Sequence, residues 1–137
     1  MSRIPVERGR SEPGEDMNAL AQAVIGAAIE EHRHLGPGYL ESVEELALAV
    51  EFRERRILFE RQKPIEVKFK GGPVGEGRLD FLVEERLIVE LKAVEELSPI
   101  HRTQVLSYLR TAGLFLGLLI IFKVSLLRDG IKRVILS

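Results

Sequence analysis

The chain has 137 residues, 45% hydrophobic and 30% charged, a balance that suits one globular domain and excludes a disordered polyelectrolyte. It has no cysteine, so disulfide scaffolds, zinc ribbons, thiolate nucleophiles and iron–sulfur clusters all drop out. The formal net charge of −1 gives no global basic field, so any nucleic-acid binding must rest on a local basic patch and on bound cations.

Residues 1–15 carry Pro5, Gly9, Pro13 and Gly14 among charges and read as a flexible tail, leaving 16–137 as a single domain. The start is polar and lacks the apolar stretch of a targeting segment. The longest apolar run, 114–122, is too short to span a bilayer as a helix, so a cytoplasmic protein with no membrane association is expected. Asp16 stands where an N-cap would open a helix over 17–34, with Leu20, Val24, Ile25, Ala28 and Ile29 on one stripe. Leu35-Gly36-Pro37-Gly38 stops it. A second helix is expected over 40–56, where Val43, Leu46, Ala47 and Val50 recur at helical spacing. Glu41, Glu44 and Glu45 fall in its first turns, where the helix dipole favours acids.

Short runs at 57–61, 65–70, 78–83 and 87–94 then alternate with turn residues and predict a meander of four strands. Ser98-Pro99 opens a helix over 99–112, with Gly113 just past its end. The apolar run 115–122 reads as a strand buried on both faces, and 131–136 as a final edge strand. The implied architecture is a three-layer α/β domain, a mixed sheet flanked by the 40–56 helix on one side and the 99–112 helix on the other.

Side chains alternate faces along a strand. Leu79, Phe81 and Val83 should therefore face one way and Asp80 the other, while Glu90 and Lys92 project together from the 87–94 strand. Adjacent strands can bring Asp80 close to Glu90, and two carboxylates beside a lysine are costly unless a cation neutralises them. Their hard oxygens suit Mg²⁺ or Mn²⁺, and Lys92 would orient a water or stabilise charge on phosphorus. Charges on the solvated face of an edge strand, with Asp80 capping a turn, would give the same spacing.

Gly77-Arg78-Leu79-Asp80 followed by Glu90-Leu91-Lys92 resembles the bipartite D…E-x-K signature of PD-(D/E)XK phosphodiesterases, with Leu79 where a proline is usual. Gln104 and Tyr108, one helical turn apart, are similar to the Q-x-x-x-Y element of several nuclease families in that superfamily. Upstream, Gly36-Pro37-Gly38-Tyr39-Leu40-Glu41 resembles the hallmark of its GxxExxY group, although Glu44 stands where the final tyrosine is expected. The likeness continues through Glu60-Arg61-Gln62-Lys63-Pro64 and Gly117-Leu118-Leu119-Ile120, and covers nearly all of the chain after residue 17. A further departure is Ile121-Phe122-Lys123, where the group reads Asn-Phe-Gly.

The resemblance implies a restriction-endonuclease-like fold and a Mg²⁺- or Mn²⁺-dependent phosphodiesterase acting on nucleic acid, DNA first. It implies metal ligands Glu41, Asp80 and Glu90, and a catalytic set of Asp80, Glu90, Lys92 and Gln104. Tyr108, Arg78 and His101 would stand on the substrate side. A homodimer fits the need to cut two strands. The alternative is a catalytically inactive nucleic-acid-binding or partner-binding module on the same fold. His32 and His34, two apart on a helix, do not make a metal pair, and His101, in the first turn of the 99–112 helix, reads first as a solvated surface histidine. Arg55, Arg56, Arg61, Lys63, Lys68, Lys70 and Arg78 make the middle of the chain locally basic, for phosphate contact or simply for solubility.

Overall fold

A computed structural model describes residues 14–137, so the expected tail lies, apart from Gly14 and Glu15, outside the described residues. Helix α1 spans Glu15–Leu35, and its N-cap is Gly14, not Asp16; no side chain caps it, and Glu15 and Asp16 lie in its first turn. Their charges there act on the helix dipole instead of on a single amide. The helix ends at Gly36, whose φ of +75° a residue with a Cβ adopts only under strain. His32 near that end is buried, and its Nε2 meets the Val124 carbonyl at 2.8 Å, tying α1 to the loop after the fourth strand.

Helix α2 (Glu41–Glu54) turns the expected amphipathicity around. Val43, Leu46 and Val50 are exposed, while Glu44, Glu45, Leu48, Ala49 and Phe52 are buried. The apolar spacing was there, but the face turned inward is the one carrying the acids.

Strands β1 (Phe59–Phe69) and β2 (Gly72–Val83) form a long antiparallel hairpin. The two expected runs at 57–61 and 65–70 are therefore one strand, and the meander has three strands instead of four. Pro64 does not break β1 because β1 is the sheet edge, where a missing N–H leaves no ladder partner unserved. The hairpin turns at Lys70 and Gly71, with φ of +52° and +84°; positive φ at both positions is what a tight two-residue loop between right-twisted strands needs. Strand β3 (Leu87–Lys92) follows antiparallel to β2.

Helix α3 (Pro99–Ala112) matches expectation. Ser98 forms a capping box with His101, Pro99 occupies the first turn, and Gly113 closes the helix in the left-handed conformation. The α3 crossover returns the chain to β4 (Leu116–Ile121), parallel to β3 and buried throughout. A short 3₁₀ turn, Leu127–Gly130, leads into β5 (Ile131–Ile135), antiparallel to β4 at the other edge. The five strands run in the order β1-β2-β3-β4-β5, a mixed sheet consistent with the restriction-endonuclease-like fold.

The core lies on both faces. On one, Ala21, Val24 and Ala28 of α1 and Leu48 and Phe52 of α2 cover Phe81, Val89, Leu91 and Leu118. Phe52, Phe59 and Phe81 meet there, with ring centroids 5.2–5.6 Å apart and tilted to edge-on planes. On the other face, Val105 and Leu109 of α3 cover Leu79, Ile88 and Leu119. Helix α3 can sit low on the sheet because Gly117 lies under it: a Cβ there would come 2.8 Å from Val105 Cγ1.

One expectation about strand faces fails. Leu79 packs toward α3, whereas Phe81 and Val83 pack toward α1 and α2, and Ile65 and Phe59 part company in the same way on β1. The hairpin changes faces between these residues. There the ladder passes from Arg61↔Phe81 to Lys63↔Leu79 with no Gln62↔Asp80 pair, and Gln62 has φ +56°.

Candidate active site

The site forms where two strands part. β2 and β3 are paired over Val83↔Leu87, Leu82↔Ile88 and Phe81↔Val89; beyond Phe81 the hairpin, having changed faces, leaves β3. Carboxylates fill the gap where ladder bonds stop. The Asp80 N–H donates to Glu90 Oε2 at 2.7 Å, and the Leu91 N–H donates to Asp80 Oδ2 at 2.8 Å. Each strand thus gives an amide to the other's side chain. Bonds of this kind favour the charged carboxylate. Burial opposes them: it is the largest influence on both groups and pushes both well above the usual carboxylate range. The charge of Asp80 pushes Glu90 further, and Glu45 and Glu41 push Asp80 in the same direction.

Glu41, in the first turn of α2, reaches the end of β3, where its Oε1 accepts the Ala93 N–H at 3.1 Å. Lys92 is half-buried, and its charge draws down both Asp80 and Glu90. Tyr108 is half-buried on α3. Its hydroxyl is pushed above the ordinary tyrosine range by burial first, then by the charges of Glu90 and Asp80, while the Gln104 side chain opposes the shift. Helix α3 thereby brings Tyr108 under the influence of the carboxylates, with Gln104 beside it. Arg78 is exposed and sends Nη1 toward the Gln62 carbonyl at 3.4 Å, a weak contact. His101 is taken up by the α3 cap, its Nδ1 accepting the Ser98 N–H at 3.2 Å.

Two further residues belong here that sequence reasoning did not single out. Glu45, buried one turn along α2 from Glu41, accepts from Arg61 Nη1 at 2.7 Å and from Gln62 Nε2 at 2.8 Å. Gln62 Nε2 also points at Asp80 Oδ1, at 3.4 Å. Glu45 was visible only as one of three glutamates in a first turn, and Gln62 only as part of the Glu60-Arg61-Gln62-Lys63-Pro64 likeness.

The donor set has the chemistry of a divalent-cation site, with hard carboxylate oxygens crowded enough to resist losing both protons without a counter-charge. Among the described residues, however, no three Asp, Glu or His side chains already form a ligand cage, and Asp80, Glu90 and Glu41 each accept a backbone amide. Holding an ion would use the oxygens those amides leave open. The pocket lined by Ile29, His32, Arg33, Gly36, Pro37 and residues 125–128 includes none of these groups.

A family model described as PD-(D/E)XK nuclease superfamily matches residues 18–134, a span that holds every residue of this cluster. The chain belongs to the PD-(D/E)XK nuclease superfamily. No curated protein and no solved structure gives a significant match to it. Asp80 lies on β2 and Glu90 and Lys92 on the neighbouring β3, the residues whose spacing resembles the D…E-x-K signature. No helix among the described residues is long and apolar enough to cross a membrane.

Proposed function

We propose that this chain is a Mg²⁺- or Mn²⁺-dependent phosphodiesterase that hydrolyses nucleic acid, DNA foremost, and that Gly38 and Glu41 place it in the GxxExxY group. The observation that carries the reading is the exchange of amides between Asp80 and Glu90 at the point where β2 and β3 diverge. A purely structural sheet would continue its ladder there. This one opens to hold two carboxylates beside a lysine.

Asp80 and Glu90 would hold the cation with help from Glu41. When bound, the ion supplies a Lewis acid for a phosphoryl oxygen and lowers the pKa of a water. Lys92 offers its ammonium to charge that develops on phosphorus. Gln104 and Tyr108 present hydrogen-bonding groups from α3 to the substrate side, and Arg78 and His101 flank them. Backbone phosphates would find cations in Arg61, Lys63 and Arg78 along the hairpin. Two copies would be needed to cut both strands at one locus.

A second reading, a non-cleaving nucleic-acid-binding or partner-binding module, draws on the same amides, which engage each carboxylate in place of an ion. One experiment separates the two. Mg²⁺ and Mn²⁺ are titrated calorimetrically into wild type and Asp80→Asn, and the same samples are assayed for plasmid nicking. Asparagine keeps an acceptor for the Leu91 N–H, so the fold is retained. Metal binding and nicking that both vanish in the variant are expected. A folded wild type that binds DNA but neither binds metal nor nicks would favour the second reading.

A further inference from the structure

Gln62 has φ +56° in the middle of a strand, with regular ladder pairs on both sides of it. A non-glycine residue is strained in that region and persists there only where its surroundings fix it. What the strain achieves is visible in the neighbours. Consecutive strand residues normally project to opposite faces, yet Arg61 and Gln62 reach the same carboxylate. Arg61 Nη1 bonds Glu45 Oε2 at 2.7 Å, and Gln62 Nε2 bonds Glu45 Oε1 at 2.8 Å. The left-handed turn at Gln62 allows this, and it also brings the same amide nitrogen within 3.4 Å of Asp80 Oδ1, a long contact beside the short bond to Glu45.

The chemistry of the side chain suits that place. Its amide NH₂ has two hydrogens, one for each carboxylate, and carries no charge. A lysine here would compete with a bound cation, and an acid would add to the repulsion already acting on Asp80. An amide links the two carboxylates without changing the charge of the site.

We infer that Gln62 is a positioning residue that yokes Glu45 of α2 to Asp80 of β2, fixing the Asp80 carboxylate for the divalent ion. This rests on the metal-site reading above. Gln62 touches neither ion nor substrate and acts through Asp80. Loss of a partner that orients a metal ligand typically weakens metal affinity by about 10–100-fold.

The test uses Gln62→Gly, which accepts the same backbone conformation and removes the amide. Mn²⁺ affinity is measured by calorimetry, and the Tm gain on adding Mn²⁺ is read within each variant, so that any change in basal stability drops out. Asp80→Asn is the control. The expected result is a Mn²⁺ Kd raised about ten-fold or more in Gln62→Gly, with a correspondingly smaller Tm gain. If Gln62→Gly responds to Mn²⁺ as wild type does while Asp80→Asn does not, the positioning role is overturned and the metal site stands. A lower basal Tm with an intact Mn²⁺ response makes Gln62 a structural residue and overturns it equally. A wild type indifferent to Mn²⁺, or an Asp80→Asn variant that responds fully, removes the metal reading and this inference with it.

Discussion

Asp80 and Glu90 at the parting of β2 and β3, and Glu31 and Glu44 between α1 and α2, are two pairs of buried carboxyl groups in one small domain. The first pair is answered: each carboxylate accepts a backbone N–H, Gln62 reaches Asp80, and Lys92 stands close. The second is not, since no donor from outside the pair reaches any of the four buried oxygens of Glu31 and Glu44. Burial, and after it a hydrogen bond between the two carboxyl groups and the Glu44 charge, push Glu31 up to about 9, so this pair keeps a proton at neutral pH. Converging carboxylates therefore do not by themselves make a metal site. What sets the first pair apart is its donors, backbone amides and Lys92, which oppose the burial that pushes Asp80 up to about 6 and Glu90 up to about 8.

The contrast is broken most directly at the pair that has donors. Asp80→Asn should lower nicking by about three orders of magnitude, the scale of several kcal/mol of transition-state stabilisation, while the protein still folds. Wild-type nicking by the variant would mean that the answered pair is no more functional than the unanswered one. Lys92→Met should reduce the nicking rate by about 10²–10³-fold and leave Mn²⁺ binding in place. A parallel loss of Mn²⁺ affinity would show that Lys92 supports the ligands and not the reaction.

At the pair without donors the effect is on stability. The folded-state value of Glu31 lies above its ordinary 4.5, so the stabilisation it gives is complete below about pH 4.5 and is lost as pH rises through about 9. The slope is at most about 1.4 kcal/mol per pH unit for one proton. Glu31→Gln should flatten that slope and make the protein about 1–3 kcal/mol more stable at pH 8, read by urea unfolding across the pH range. An unchanged slope would mean that the pair shares no proton. The smallest effect is expected on the outward stripe of α2: Leu46→Glu should change stability by no more than about 0.5 kcal/mol. A loss of several kcal/mol there would mean that this face is covered in solution.

Much of this was legible in the sequence. Glu90 and Lys92 alternate with apolar neighbours in a short strand, and Asp80 lies one tight turn upstream, so their meeting follows from strand period and hairpin geometry. Helix α3 was readable because Ser98, Pro99 and Gly113 each signal a terminus by backbone chemistry. The α2 face was not readable, because burial of Glu44 and Glu45 depends on Arg61, Gln62 and Glu31, residues distant in sequence that no local period encodes. The switch of faces at Asp80 was hidden for a different reason. It is made by a left-handed glutamine, without the glycine or asparagine that usually marks such a turn.

The amides of Asp80, Leu91 and Ala93 are bonded to the carboxylates of Glu90, Asp80 and Glu41 instead of to strand carbonyls. They make the site its own spectroscopic reporter. In a ¹⁵N-correlated spectrum each of these three N–H resonances follows the state of one named carboxylate. Protonation, capture of an ion or removal of Gln62 would register as separate displacements of these peaks, with no added probe beyond the isotope and no substrate present.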